Sequence, residues 1–148
     1  MPRTRPVRDA DYRRLLALRT GLRHFLRWSE EQAASSSLTP SQHQLLLAIR
    51  GHAGEQAPTI GDVAASLLLR HHSAVELVNR TEEAGLVRRS RDAEDHRVVR
   101  LSLTGRGARL LEDLSERHLQ ELARLARSIG PLLAGLDEPA LEAARSTA

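Results

Sequence analysis

The chain of 148 residues contains no cysteine. Disulfide frameworks, thiolate nucleophiles, Cys-based zinc sites and cysteine redox switches are thereby excluded. Lysine is missing too, so all 22 basic residues are Arg. Aromatic residues make up only 2% of the chain, namely Tyr12, Phe25 and Trp28. No stretch approaches the roughly 18 consecutive apolar residues of a membrane span. Residues Met1-Pro2-Arg3-Thr4-Arg5 lead into a polar helix and do not read as an apolar signal segment. The expectation is a cytoplasmic protein with no membrane partner. What is present is 41% apolar residues at regular spacing, enough for one domain with its own core.

The formal net charge is +3, but it is unevenly spread. Residues 1–27 hold eight Arg against Asp9 and Asp11. Residues 86–109 hold seven Arg against Asp92, Glu94 and Asp95, while every other segment is net negative. Two basic blocks of this kind are an electrostatic footprint for nucleic acid. A preference for Arg codons accounts for Arg over Lys and leaves the clustering unexplained.

Helical periodicity dominates the first half. Leu15, Leu18, Leu22 and Phe25 recur at spacings of three and four from about Asp9 to Ala34, giving a long amphipathic helix closed by Ser35, Ser36 and Ser37. Thr39, Pro40 and Gln42 form a helix start with a capping box, and Gly51 stops that helix. Residues 54–58 read as a loop or very short strand. Thr59 and Asp62 open a third, short helix with Ile60, Val63, Ala64, Leu67 and Leu68 on its apolar side. A fourth runs from His71 or His72 to Ala84, with Ala74, Val75, Leu77 and Val78 inward, and is closed by Gly85.

The period then changes from 3.6 to 2. Leu86–Ser90 and the alternating Val99, Leu101 and Leu103 read as two strands, with residues 91–97 as a charged tip. Thr104 opens a long helix with Leu110, Leu111, Leu114, Leu122, Leu125 and Ile129 on one face. Gly130 and Pro131 are expected to break it, with a short tail helix from about Glu138 to Arg145. The fold class is therefore mainly α with a small β hairpin. Three short helices followed by a hairpin make a winged helix-turn-helix, in which the helix at 71–84 enters the major groove. The apolar stripes of the first and fifth helices are too long for so small a core, which points to a second subunit.

The order of motifs resembles the MarR (multiple-antibiotic-resistance regulator) family of transcription factors. The matching residues are Leu38-Thr39-Pro40, Thr59-Ile60-Gly61-Asp62-Val63-Ala64, Leu77-Val78-Asn79-Arg80 and Gly85-Leu86-Val87-Arg88-Arg89. Asp95-His96-Arg97 and Leu103-Thr104-Gly105-Arg106-Gly107 complete the set. The resemblance implies one domain over 1–148, with a winged helix-turn-helix lobe at 39–103 and dimerisation helices at 9–36 and 104–148. It implies a homodimer on a pseudo-palindromic double-stranded DNA operator. Such regulators commonly repress their own or a neighbouring operon and leave DNA when a small aromatic, phenolic or anionic effector binds. It further implies that Arg97 reaches the minor groove from the wing, with Asp95 supporting it. The chain departs from the family pattern at Glu76 and at Thr81, where Leu is usual.

The candidate DNA-binding residues are Arg70, His71, His72, Ser73, Glu76, Asn79 and Arg80 on the recognition helix. Arg88, Arg91, Asp95, Arg97 and Arg100 are the candidates on the wing. A wing Arg suits the negative potential of a narrowed minor groove, and the start of a helix favours phosphate. Glu76 can accept from cytosine N4 or fix Arg80 four residues on. The competing reading of the wing is an exposed hairpin whose Arg residues pair with Asp92, Glu94 and Asp95. His24, Arg27, Trp28 and His43 are the candidate effector pocket, since an indole and imidazoles can stack on and bind an aromatic anion; the plainer reading is that Trp28 seals core or dimer. His71 and His72 diverge on a helix and have no Cys beside them, so no metal site is expected. No Ser-His-carboxylate arrangement or glycine-rich phosphate loop is apparent, so no catalytic residue and no cofactor is expected, and the chain does not read as an enzyme. The alternative is a winged-helix protein-interaction module without sequence-specific DNA binding.

Overall fold

Five helices and one antiparallel hairpin account for the described residues, 6–134, of the computed structural model. They run α1 (Asp9–Ser35), α2 (Pro40–Arg50), α3 (Ile60–Ser66), α4 (His71–Glu83), β1 (Val87–Arg91), β2 (Val99–Leu103) and α5 (Gly105–Leu133). The fold is mainly helical with a small hairpin, a winged helix. The tail helix expected near Glu138 lies outside the described residues.

Local chemistry sets the helix ends. In α2 the Thr39 hydroxyl accepts from Gln42 N–H at 3.1 Å, and the Gln42 side chain accepts from Thr39 N–H at 3.0 Å. Thr59 and Asp62 make the same reciprocal pair at the start of α3, at 2.9 and 3.1 Å. Those two bonds hold the Asp62 carboxyl below its ordinary range. Each box satisfies two donors that a helix start would otherwise leave orphaned.

Three helices end alike, through a residue in the left-handed region. After α4, Gly85 (φ 73°) lets Leu86 N–H reach Thr81 C=O at 3.1 Å while its own N–H bonds Glu82 C=O at 2.8 Å. After α1 the same pattern is made by Ser37 (φ 59°), and after α3 by Leu68 (φ 54°). The expectation that Leu68 belongs to the apolar side of α3 is corrected by this. The helix stops at Ser66, and Leu68 is 93% exposed in the turn before α4.

Two other boundaries differ from the sequence reading. Pro131 lies inside α5, which continues through Leu133 with Ala134 N–H donating to Gly130 C=O at 3.0 Å. A proline there removes one N–H near the end of a 29-residue helix, too late to stop the last turn. The first strand is Val87–Arg91, shifted by one residue, so the wing tip spans 92–98.

The chain divides into two compact units, residues 30–116 and the described parts of 1–29 with 117–148. The larger has a core of Ala33, Leu38, Leu45, Leu46, Ile49, Val63, Leu77, Val78, Leu86, Val87, Leu101, Leu111 and Leu114. Thr81 is fully buried in it, and its hydroxyl donates to Leu77 C=O at 2.7 Å, so the residue that replaces the expected Leu leaves no orphaned donor. A Cβ at Gly107 would collide with the Leu86 carbonyl, so only glycine lets the first turn of α5 sit on the α4–β1 junction. In the smaller unit the Leu125 and Ile129 side chains of α5 pack on Gly21 of α1, where an added Cβ would lie 3.3 Å from each. Tyr12, Leu15, Leu16, Leu22, Leu26, Leu119 and Leu122 remain exposed there.

Candidate nucleic-acid interface

Helix α4 presents His71, His72, Glu76, Asn79 and Arg80 to solvent, with Ser73 half-buried and Ala74, Leu77, Val78 and Thr81 facing the core. Arg70 is the residue before the helix and its side chain makes no cap, so the first N–H groups of α4 have no side-chain acceptor from it. Glu76 does not pair with Arg80 among the described residues, which leaves a lone carboxylate on this face.

The hairpin pairs Val87 with Leu103 and Arg91 with Val99. Arg88, Arg91 and Arg97 are exposed, and the Arg97 side chain is 91% exposed at the tip. Asp95 grips that guanidinium with both oxygens, each at 3.0 Å, and its carboxyl is held below the ordinary range by those bonds and by Arg97 N–H. Arg97 and His71 line one cleft of about 360 Å³ with Thr59, Ile60 and Val99, so the start of α4 and the wing tip share a face.

Arg100 is placed differently from the other wing candidates. It turns back into the lobe, donating from Nε to Asp92 Oδ2 at 2.8 Å and from Nη1 to Ala57 C=O at 3.1 Å. Asp92 and Arg89 were not among the sequence candidates. Asp92 caps the tip by accepting from Glu94 and Asp95 N–H at 2.9 and 3.0 Å, which with Arg100 brings its carboxyl down to about 2. An Asp starting a tight charged turn was a readable signal for that cap. Arg89 donates to Glu82 and, at 2.6 Å, to Asn79 Oδ1. That tie joins β1 to α4, and nothing local in the sequence announces it.

The effector candidates fall in separate units. His24, Arg27 and Trp28 lie on α1, where Trp28 packs on Phe25 and, at 4.8 Å between ring centroids, on His118. His118 Nε2 and Ser29 Oγ are hydrogen-bonded at 2.7 Å. His43 is buried on α2 in the larger unit. Among the described residues no three His, Asp or Glu side chains converge as a metal would require, and no helix is long and apolar enough to cross a membrane.

The MarR family model matches residues 36–98, which take in α2, α3, α4, β1 and the wing tip. Over this segment the chain is similar to the MarR family of transcription regulators. A MarR family protein from Bacillus stearothermophilus is 25% identical, with 88% of this chain and 89% of that chain aligned at a TM-score of 0.64. CouR from Rhodococcus jostii RHA1, solved bound to p-coumaroyl-CoA, is 26% identical over 89% and 85%, with a TM-score of 0.58. MepR of S. aureus, solved as a DNA complex, shares the MarR winged-helix fold at 19% identity over 88% and 94%, with a TM-score of 0.67. No functionally curated protein matches the chain by sequence.

Proposed function

We propose that this chain is a MarR-type homodimeric, cytoplasmic, sequence-specific DNA-binding regulator, a repressor of its own or a neighbouring operon, released by a small aromatic or anionic ligand. The observation that carries the reading is the shared face of His71 and Arg97. It puts a helix N-terminus, suited to phosphate and base edges, beside an Arg suited to the minor groove. The DNA complex of MepR and the aromatic acyl-CoA complex of CouR support the two ligand classes. The exposed apolar residues of α1 and α5 support a dimer, since that surface is costly to leave in water. His24, Arg27 and Trp28, with the Trp28–His118 stack, are the candidate effector residues of the smaller unit, and His43 is a separate candidate in the larger one.

Selection of bound duplexes from a random pool tests the reading. The wild type should enrich a pseudo-palindrome with half-sites about one helical turn apart. His72→Ala and Ser73→Ala should relax one position in each half-site, at about 1–3 kcal/mol per lost base contact. Arg97→Ala should weaken binding to all sequences alike. A pool that stays random with the wild type contradicts the proposal. The protein-interaction alternative draws on the pairing of Arg89 with Glu82, Arg97 with Asp95 and Arg100 with Asp92, which neutralises much of the wing.

A further inference from the structure

The wing tip is held at its base by one acid and one base, and the acid divides its oxygens between two tasks. Asp92 Oδ1 accepts from the N–H groups of Glu94 and Asp95 and so shapes the turn. Asp92 Oδ2 accepts from Arg100 Nε at 2.8 Å. Arg100 directs its remaining nitrogens to Ala57 C=O and Gln56 Oε1, in the loop before α3. Backbone contacts reinforce the same junction. Leu101 N–H donates to Pro58 C=O at 2.8 Å, and Thr59 bridges Arg100. Only 23% of the Arg100 side chain and 10% of that of Asp92 remain exposed.

We propose that Asp92 and Arg100 are positioning residues for DNA binding, a brace that fixes the wing turn against the 56–59 loop and thereby aims Arg97. The inference rests on the DNA-binding reading. An isolated two-stranded hairpin is only marginally ordered in water, so an Arg at its tip needs an external anchor to keep its aim. A guanidinium is a planar fork of fixed directions, and all three nitrogens of Arg100 are committed to acceptors. Swinging it out to a phosphate would leave the Asp92 carboxylate without its cation. Arg100 therefore serves DNA through Arg97.

Charge alone and the brace predict opposite signs for one substitution. Asp92→Asn keeps an oxygen for both turn N–H groups but sets an NH2 group against a guanidinium that can only donate. Removing a negative charge beside DNA should tighten binding; breaking the brace should weaken it. The expected result on a wild-type-selected duplex is a loss of about five- to tenfold for Asp92→Asn and for Arg100→Gln. The double variant should be no worse than the weaker single. In an Arg97→Ala background neither change should weaken binding further. Amide exchange at Glu94, Asp95 and Val98 in DNA-free Arg100→Gln should be faster than in wild type, with far-UV dichroism unchanged.

Equal or tighter binding by Asp92→Asn overturns the inference, as does a further loss on Arg100→Gln in the Arg97→Ala background, which would make Arg100 a phosphate ligand. Unchanged amide exchange overturns it as well. A wild-type chain that binds no duplex overturns the DNA reading and the inference with it, so the two failures are told apart.

Discussion

Arg89 on β1 donates a 2.6 Å hydrogen bond to Asn79 Oδ1 on α4. Because a guanidinium only donates, the bond fixes the orientation of the amide, with its NH2 group turned away from Arg89. One lone pair of that oxygen is taken by Arg89, so the two-point pattern by which Asn reads adenine would have to share it, and we expect Asn79 to serve the β1–α4 tie and not adenine readout.

Asn79→Ala should cost about 0.5–1 kcal/mol of stability, since Arg89 keeps Glu82 as a partner and the site is exposed. Selected duplexes should show no loss of an adenine at any position. Urea unfolding and pool selection together check this, and an adenine preference that vanishes in the variant contradicts it.

Leu68→Gly should stabilise the chain. Leu68 sits at φ 54° and is 93% exposed, so glycine relieves left-handed strain and gives up little burial. The net gain should be about 0.5–1 kcal/mol after the larger chain entropy of unfolded glycine is subtracted. A lower midpoint in urea would mean that the Leu68 side chain is held by contacts the turn does not reveal.

The acid dependence of the wing follows from Asp92, whose carboxyl lies at about 2 against an ordinary 3.8, chiefly through Asp95 N–H and Arg100. A depressed carboxylate contributes stability that is complete above its unfolded value and disappears as pH falls through the folded one. The difference in thermal midpoint between wild type and Asp92→Asn should stay constant from about pH 7 to about pH 5, narrow below about 4 and close near 2. A gap that closes near pH 6 points to a histidine instead.

What the sequence made legible was local. Both capping boxes and the Gly85 stop could be read because the residues that form them lie within a few positions of one another. Leu68 could not, because an unbroken Leu67-Leu68-Leu69 run gives no sign that the middle residue turns left-handed. The ties from the wing to the rest of the lobe were illegible for a different reason. Arg100 meets Ala57 across 43 positions and Arg89 meets Asn79 across 10, on elements whose relative placement the core decides. Arg100 looked like a phosphate ligand because it lies in a basic block. Asp92 was within sequence reach as a wing acid, whereas Gln56 and Ala57 come from a loop more than 40 positions away that no periodicity brings to it.

The most direct test of the central claim is the affinity of the full-length chain for its selected duplex, measured across salt concentrations. Phosphate neutralisation by Arg releases counterions, so the logarithm of affinity should fall linearly with the logarithm of salt. With about six phosphate contacts per dimer, the loss between 50 and 200 mM salt should be about a thousandfold. Binding that is flat in salt, or equally strong on duplexes lacking the palindrome at every salt concentration, would contradict a sequence-specific DNA-binding regulator.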